Sequence, residues 1–366
     1  MPFAQITGWG MYVPPKVVTN DDLVASGLDT SDEWITSRTG IKQRHLIAQG
    51  EATSDLALRS ARQALKIANT NPRDLDLIIV ATCSPDHFLP STASIVQDKL
   101  GATRAGAMDL NAACAGFVYG LILATGQIEA RRCKRVLVVG ADALSIYVNW
   151  NDRSTCVLFG DGAGAVVLET SDEPGVLATS MGSDGSGAKL LQVEAGGSRL
   201  PYSREGPGSN DHYLTMDGAQ VFRFATQIMG KDAEKVIEGS NLESEDVDLF
   251  IPHQANQRII DTAAKRLKLD PEKVFTNLDA YGNTSAASIP IAICEALEQE
   301  RIKPGNHVVL TSFGAGLAWA SAVIRWGQAQ PASRSAVGRL TRGIEYRLSR
   351  LGSRLRRLSR KLPGSR

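Results

Sequence analysis

"LDLIIVATC" (Leu75–Cys83) returns as "VDLFIPHQA" (Val247–Ala255) in this 366-residue chain, with Leu77 and Leu249 standing 172 residues apart. Both are short apolar runs of strand length, the signature of buried strands in an α/β protein. The echo continues outward from them. "DLNAACAG" (Asp109–Gly116) reappears as "NLDAYGNTSAA" (Asn277–Ala287), and "RVLVVG" with "FGDGAGAVVL" reappears as "HVVLTSFGAGLAWASAVI" (His307–Ile324). Val136 to Val308 is again 172 residues, while Asp109 to Asn277 is 168. Helical patterns separate these runs, around Ser91–Leu100, after Cys114, and in "NQRIIDTAAKRLKL" after His253. A duplicated α/β unit with pseudo-twofold symmetry follows, its first half over residues 1–172, its second over 173–327, and a tail over 328–366.

Composition is that of a soluble globular protein, 43% hydrophobic and 22% charged. The net charge of +1 hides an asymmetry: from Pro331 onward ten Arg and one Lys face the single acid Glu345. A slightly acidic body therefore carries a strongly basic tail. Five cysteines without paired spacing suit neither a disulfide framework nor a metal site, and a reducing cytoplasm is the expected compartment. The start "MPFAQITGWGMYVPP" lacks the basic flank and apolar core of a leader, and no run approaches the roughly 18 apolar residues of a membrane span.

Duplication sets corresponding strand-to-helix junctions of the two halves against each other, where α/β folds tend to hold ligands. Cys114 and Asn283 stand at such junctions, and His253 follows the second-half strand "DLFI". A cysteine at the first turn of a helix meets unpaired N–H groups and the positive end of the helix dipole, which favour the thiolate. Each residue alone has a plainer reading: Cys114 as a small core residue, His253 as a structural histidine, Asn283 as a turn or cap. Together they supply a nucleophile and two neutral donors for charge on a carbonyl oxygen. No carboxylate evidently partners His253, so acyl transfer is favoured over hydrolysis.

These residues lie in linked motifs: "SDEWITSRTGIKQRH" (Ser31–His45), "DLNAACAGF", "FGDGAGAVVL", "PHQANQRI" (Pro252–Ile259), "GNTSAASIP" (Gly282–Pro290) and "FGAGLAWASAVIRW" (Phe313–Trp326). In that order they resemble the thiolase superfamily, and within it the 3-oxoacyl-(acyl-carrier-protein) synthase III family, over about residues 3–326. The resemblance implies a five-layered αβαβα fold, a homodimer, no cofactor, and a Cys114-His253-Asn283 triad. It implies an acyl-CoA donor, malonyl-acyl carrier protein as acceptor, and an oxyanion site at the backbone N–H groups of Cys114 and Ala315. CoA contacts would fall on Trp34, Arg38, Arg153, Gly218, Phe222 and Asn256. Arg223, Arg258, Lys265 and Arg266 would form a basic rim for the acidic carrier protein, with a solvated helix face as the rival reading. A related condensing enzyme of secondary metabolism and a non-catalytic acyl-binding scaffold subunit are the alternatives.

Departures from the family pattern are specific. Ala219 in "MDGAQVF" stands where an asparagine is common near the pantetheine channel. Where an aromatic often closes the acyl pocket across the dimer interface, "HFLPST" puts Leu89, with Phe313 as the other pocket residue, and a shorter wall would admit chains beyond acetyl. Past Trp326 the chain continues into the basic stretch, where Val337, Leu340, Ile344, Leu348, Leu351, Leu355, Leu358 and Leu362 recur at helical spacing. Such a helix suits an anionic membrane surface or an acidic partner. No motif that reads nucleic acid accompanies it.

Overall fold

Two sheets carry the repeat. In the computed structural model, which describes residues 2–201 and 210–327, five strands lie in the order Phe3–Tyr12, Gly162–Ser171, Arg135–Asp142, Leu77–Ala81, Gly106–Leu110. The second sheet has four strands, in the order Val176–Ser183, Ala318–Arg325, His307–Gly314, Leu249–Pro252. Equivalent strands hold equivalent places. Leu77 pairs with Val136 in the first sheet and Leu249 with Val308 in the second, both in parallel. The fifth place in the second sheet is reduced to one bridge between Phe250 and Val274. The basic tail read for 328–366 lies outside the described residues.

The strands read as continuous apolar runs because both faces are covered. Ile78, Val80, Leu137 and Val139 face outward onto Leu56, Leu65, Val96 and Leu100 of helices Thr53–Ala68 and Thr92–Leu100. Ile79 and Val138 face the other way, as alternation along a strand requires. They meet Phe117, Leu121 and Ile128 of helix Gly116–Glu129 and Ile289 and Ile293 of helix Ser288–Glu298, with Ile251, Leu310 and Ala322 of the second sheet beyond. Phe250, Val309 and Val323 then turn out onto Met229, Val236, Ile259 and Ala263 of helices Gly218–Gly239 and Gln257–Arg266. The result is the expected five-layered αβαβα stack. The helix after Cys114 is apolar on nearly every side because it is the central layer.

Each central helix is entered through a short 3₁₀ turn, Ala113–Ala115 in the first half and Ser285–Ala287 in the second. Both turns begin on a residue with positive φ, 46° at Ala113 and 52° at Ser285, a conformation that side-chain-bearing residues hold only when their surroundings fix it. These residues are again 172 apart. The offset of 168 upstream becomes 172 here because the four-residue helix Leu278–Tyr281 is inserted in the second half. Glycines then let backbone approach backbone: a Cβ at Gly140 would sit 2.1 Å from the carbonyl oxygen of Ala286, and one at Gly314 would sit 2.6 Å from the Cys114 nitrogen. Among the described residues no helix is long and apolar enough to cross a membrane.

This packing predicts opposite effects from one kind of substitution. Gly140→Ala forces the Ala286 turn to move and should cost about 1–3 kcal/mol in urea unfolding. Gly126→Ala, on helix Gly116–Glu129 with open space where its Cβ would lie, should add about 0.5–1 kcal/mol through helix propensity.

Candidate active site

Cys114 sits in the middle of its 3₁₀ turn rather than inside the helix that follows. The second half holds it: Ser312 Oγ donates to the Cys114 carbonyl at 2.8 Å, and Gly314 leaves the Cys114 nitrogen uncovered. Its side chain, 8% exposed, lines a cavity of about 620 Å³ together with Ala315, Ser285, Cys83 and Asn111. Neither the Cys114 N–H nor the Ala315 N–H is taken by another described residue. Both residues line the cavity.

Asn283 is fixed by a short pairing with Phe159, its N–H donating to the Leu158 carbonyl at 2.8 Å and its carbonyl accepting from Gly160 N–H at 3.0 Å. Its side-chain Oδ1 accepts from Ser285 N–H at 2.9 Å, which leaves Nδ2 as the group free to donate. His253 follows the strand Leu249–Pro252, and its N–H donates to the Thr311 carbonyl at 2.8 Å, one residue before Ser312. The imidazole Nδ1 meets Ser288 Oγ at 2.6 Å. Gln254 N–H donates to the same Ser288 Oγ at 3.5 Å; with the Ser288 hydrogen assigned to Nδ1, the ring proton lies on Nε2. Three residues from distant parts of the sequence therefore meet at the turn Ser285–Ser288: its Ser285 lines the cavity with Cys114, its entry carries Asn283, and its exit anchors His253.

Electrostatics depart from the expectation of a resting thiolate. Burial pushes the Cys114 thiol up to about 12, the Ser285 hydroxyl and the residue's own N–H offset part of this, and the nearby Asp142 carboxylate adds to it. The start of the helix does not win because it faces a low-dielectric interior. His253 is 1% exposed, and burial pulls its imidazole down to about 3, so it is neutral across the working pH range. A neutral imidazole donates one hydrogen bond and carries no charge with which to form a thiolate-imidazolium pair.

The remaining sequence candidates fall in two groups away from the cavity lining. Trp34 lies between Arg38, 5.1 Å from its ring centre, and Arg153, 4.8 Å from it, and Arg153 is held by the Asp29 carbonyl at 2.6 Å. Asn256 does not reach inward: its Oδ1 caps helix Gln257–Arg266 through Arg258 N–H and its Nδ2 donates to the Arg38 carbonyl at 3.0 Å. Gly218 opens helix Gly218–Gly239, where Phe222 lies under Arg258 at 5.1 Å. Arg223 and Lys265 are exposed, whereas Arg266 is paired with Glu234 at 2.6 Å. The two wall residues fall differently. Leu89 is 87% exposed and stands outside the lining of this chain's cavity, as a role across a dimer interface allows, while its neighbour Phe88, 76% exposed, borders the cavity. Phe313 is buried with its ring edge-on to His253 at 5.5 Å, so it supports the imidazole rather than an acyl chain.

Sequence reasoning passed over Ser285, Ser288, Cys83 and Asp142. Ser285 and Ser288 were within reach, since both stand inside "GNTSAASIP"; Asp142 ends one first-half strand and Cys83 lies two residues past another, and no local pattern marks what they face.

Comparison with known proteins agrees with this geometry. The family model described as 3-oxoacyl-[acyl-carrier-protein (ACP)] synthase III matches residues 108–185, and the one described as its C terminal matches residues 237–326. A beta-ketoacyl-[acyl-carrier-protein] synthase III of Roseiflexus castenholzii is 51% identical over 88% of this chain and 98% of its own. That of Symbiobacterium thermophilum is 52% identical over the same shares. The crystal structure of the Thermus thermophilus beta-ketoacyl-acyl carrier protein synthase III superposes with a TM-score of 0.83 at 47% identity, covering 88% of this chain and 99% of that one. With its fold, its duplicated turns and these similarities in agreement, the chain belongs to the 3-oxoacyl-(acyl-carrier-protein) synthase III family.

Proposed function

We propose that the chain catalyses the decarboxylating condensation of an acyl-CoA starter with malonyl-acyl carrier protein, giving a 3-oxoacyl-carrier product and initiating type II fatty acid synthesis. The observation that carries this reading is the convergence of Cys114, Asn283 and His253 on one turn, with the cysteine sulfur on the wall of a cavity.

Cys114 attacks the acyl-CoA thioester, its proton leaves with the CoA thiol, and the acyl group stays on sulfur. Developing charge on the thioester oxygen falls to the N–H groups of Cys114 and Ala315. Malonyl-carrier thioester then loses CO₂, and its enolate oxygen takes donors from His253 Nε2 and Asn283 Nδ2 while its carbon attacks the acyl-cysteine. The carbon-carbon bond forms as the sulfur leaves. Decarboxylation supplies the carbanion, so no strong base is needed and a neutral imidazole is adequate. Removing one such donor typically costs about 3–4 kcal/mol of transition-state stabilisation.

Trp34 with its two flanking guanidiniums suits a planar, phosphorylated head such as the adenine end of CoA. Arg223, Arg258 and Lys265 suit an acidic carrier protein, with Arg266 contributing less because Glu234 neutralises it. Phe88 and Leu89 leave an apolar loop in solvent beside the cavity mouth, which supports a homodimer that covers it. We assign the protein to the cytoplasm, with the basic stretch 328–366 making peripheral contact with an anionic membrane surface.

Intact-mass spectrometry after incubation with a panel of acyl-CoAs should show one added acyl group, absent from Cys114→Ala; a wild-type chain that takes none sinks the reading. Asn283→Ala should slow condensation by about 10²–10³ while acylation persists. Since the thiol titrates near 12 and the imidazole near 3, alkylation of Cys114 by iodoacetamide should rise about tenfold per pH unit between pH 7 and 9. A break near pH 6.5 would mean that His253 charges there. Liposome flotation should favour the full chain over one ending at Gln330.

A further inference from the structure

The pseudo-twofold relation makes Ala286 the counterpart of Cys114, and the two turns are held alike. Ser312 donates to the Cys114 carbonyl, and Gly140, its counterpart 172 residues earlier, closes on the Ala286 carbonyl. Two residues further along each strand the halves part company. Gly314 covers the Cys114 N–H with nothing, whereas its counterpart is Asp142, whose Oδ2 accepts from Ala286 N–H at 3.2 Å. The backbone donor that the first half turns toward the cavity is matched, in the second half, by a donor that already has an anion on it.

Asp142 is fully buried, and its other oxygen is heavily engaged. Oδ1 accepts from Thr82 Oγ1 at 3.0 Å, Cys83 N–H at 2.9 Å, Cys83 Sγ at 3.4 Å, Ser84 N–H at 3.2 Å and Ser84 Oγ at 2.8 Å. A carboxylate clamped this way on one side is a fixed post on the other. What it fixes is the turn Ser285–Ala287, whose first N–H orients the Asn283 carboxamide.

We propose that Asp142 is a positioning residue for the condensation step: its buried carboxylate fills the second half's copy of the oxyanion site, and thereby sets the turn from which Asn283 donates. The inference rests on the function proposed above. It separates the two half-reactions, because Cys114 is held by Ser312 and Gly314 and not by Asp142. It also gives them opposite signs. Asp142 adds to the upward push on the thiol, so removing its charge eases thiolate formation even as it loosens Asn283.

Asp142→Asn and wild type would be compared in single turnovers, following acylation of Cys114 by acyl-CoA and then condensation of the pre-acylated protein with malonyl-carrier protein. Condensation should fall tenfold or more while acylation is unchanged or several-fold faster. General damage to the fold slows both, and a fall in both together, or an unaltered condensation rate, overturns the inference. Should Asp142→Asn fail to fold, Thr82→Val removes one hydroxyl from Oδ1 and should shift the ratio of the two rates in the same direction by two- to fivefold; an unchanged ratio overturns it. A wild-type chain that takes no acyl group removes the functional reading and this inference with it, whereas an acylated wild type beside a variant that loses both rates equally removes the inference alone.

Discussion

The site depends on a reciprocal insertion of backbone into backbone. The Cys114 turn lies against the end of the second-half strand His307–Gly314, and the Ala286 turn lies against the end of the first-half strand Arg135–Asp142. Contact this close is possible only where a side chain is missing, which is the physical role of Gly140 and Gly314. Because each half wedges the other's turn, the positive φ values at Ala113 and Ser285 are held from outside rather than by local preference. The nucleophile is therefore placed by the other half of the molecule.

Burial does the rest, and it acts on both members of the pair in the same sense. Desolvation disfavours the charged form of each, leaving a neutral thiol and a neutral imidazole at rest. A preformed ion pair would raise the resting nucleophilicity of the sulfur but would give up the neutral imidazole donor. With Nδ1 accepting from Ser288, His253 presents its proton from Nε2, and the Phe313 ring packs against the imidazole at a steep angle. Asn283 is constrained in the same way, with Oδ1 held and Nδ2 left over. Two donors are aimed by spending their other polar atoms on the scaffold.

Periphery and centre differ in how their charges are arranged. At the centre the carboxylate of Asp142 is enclosed by donors and sits behind the turn. At the periphery the cations stack on rings, Arg38 and Arg153 on Trp34 and Arg258 on Phe222, which keeps them oriented while leaving them in water. Arg266 is the exception, tied to Glu234.

The duplication and the layer order were legible in the sequence, because apolar runs at a constant offset encode buried strands. The 168 and 172 offsets differed for a reason also written there, four extra residues before Gly282. What one dimension did not carry was direction. Whether Leu89 or Phe88 faces the cavity, whether Phe313 touches an acyl chain or an imidazole, and whether Asn256 looks inward or caps a helix all turn on side-chain orientation, which tertiary packing sets. The charge state of Cys114 was decided the same way: a helix start favours a thiolate locally, but the free energy of a charge depends on how much water and which carboxylate surround it, and only the folded halves together determine both.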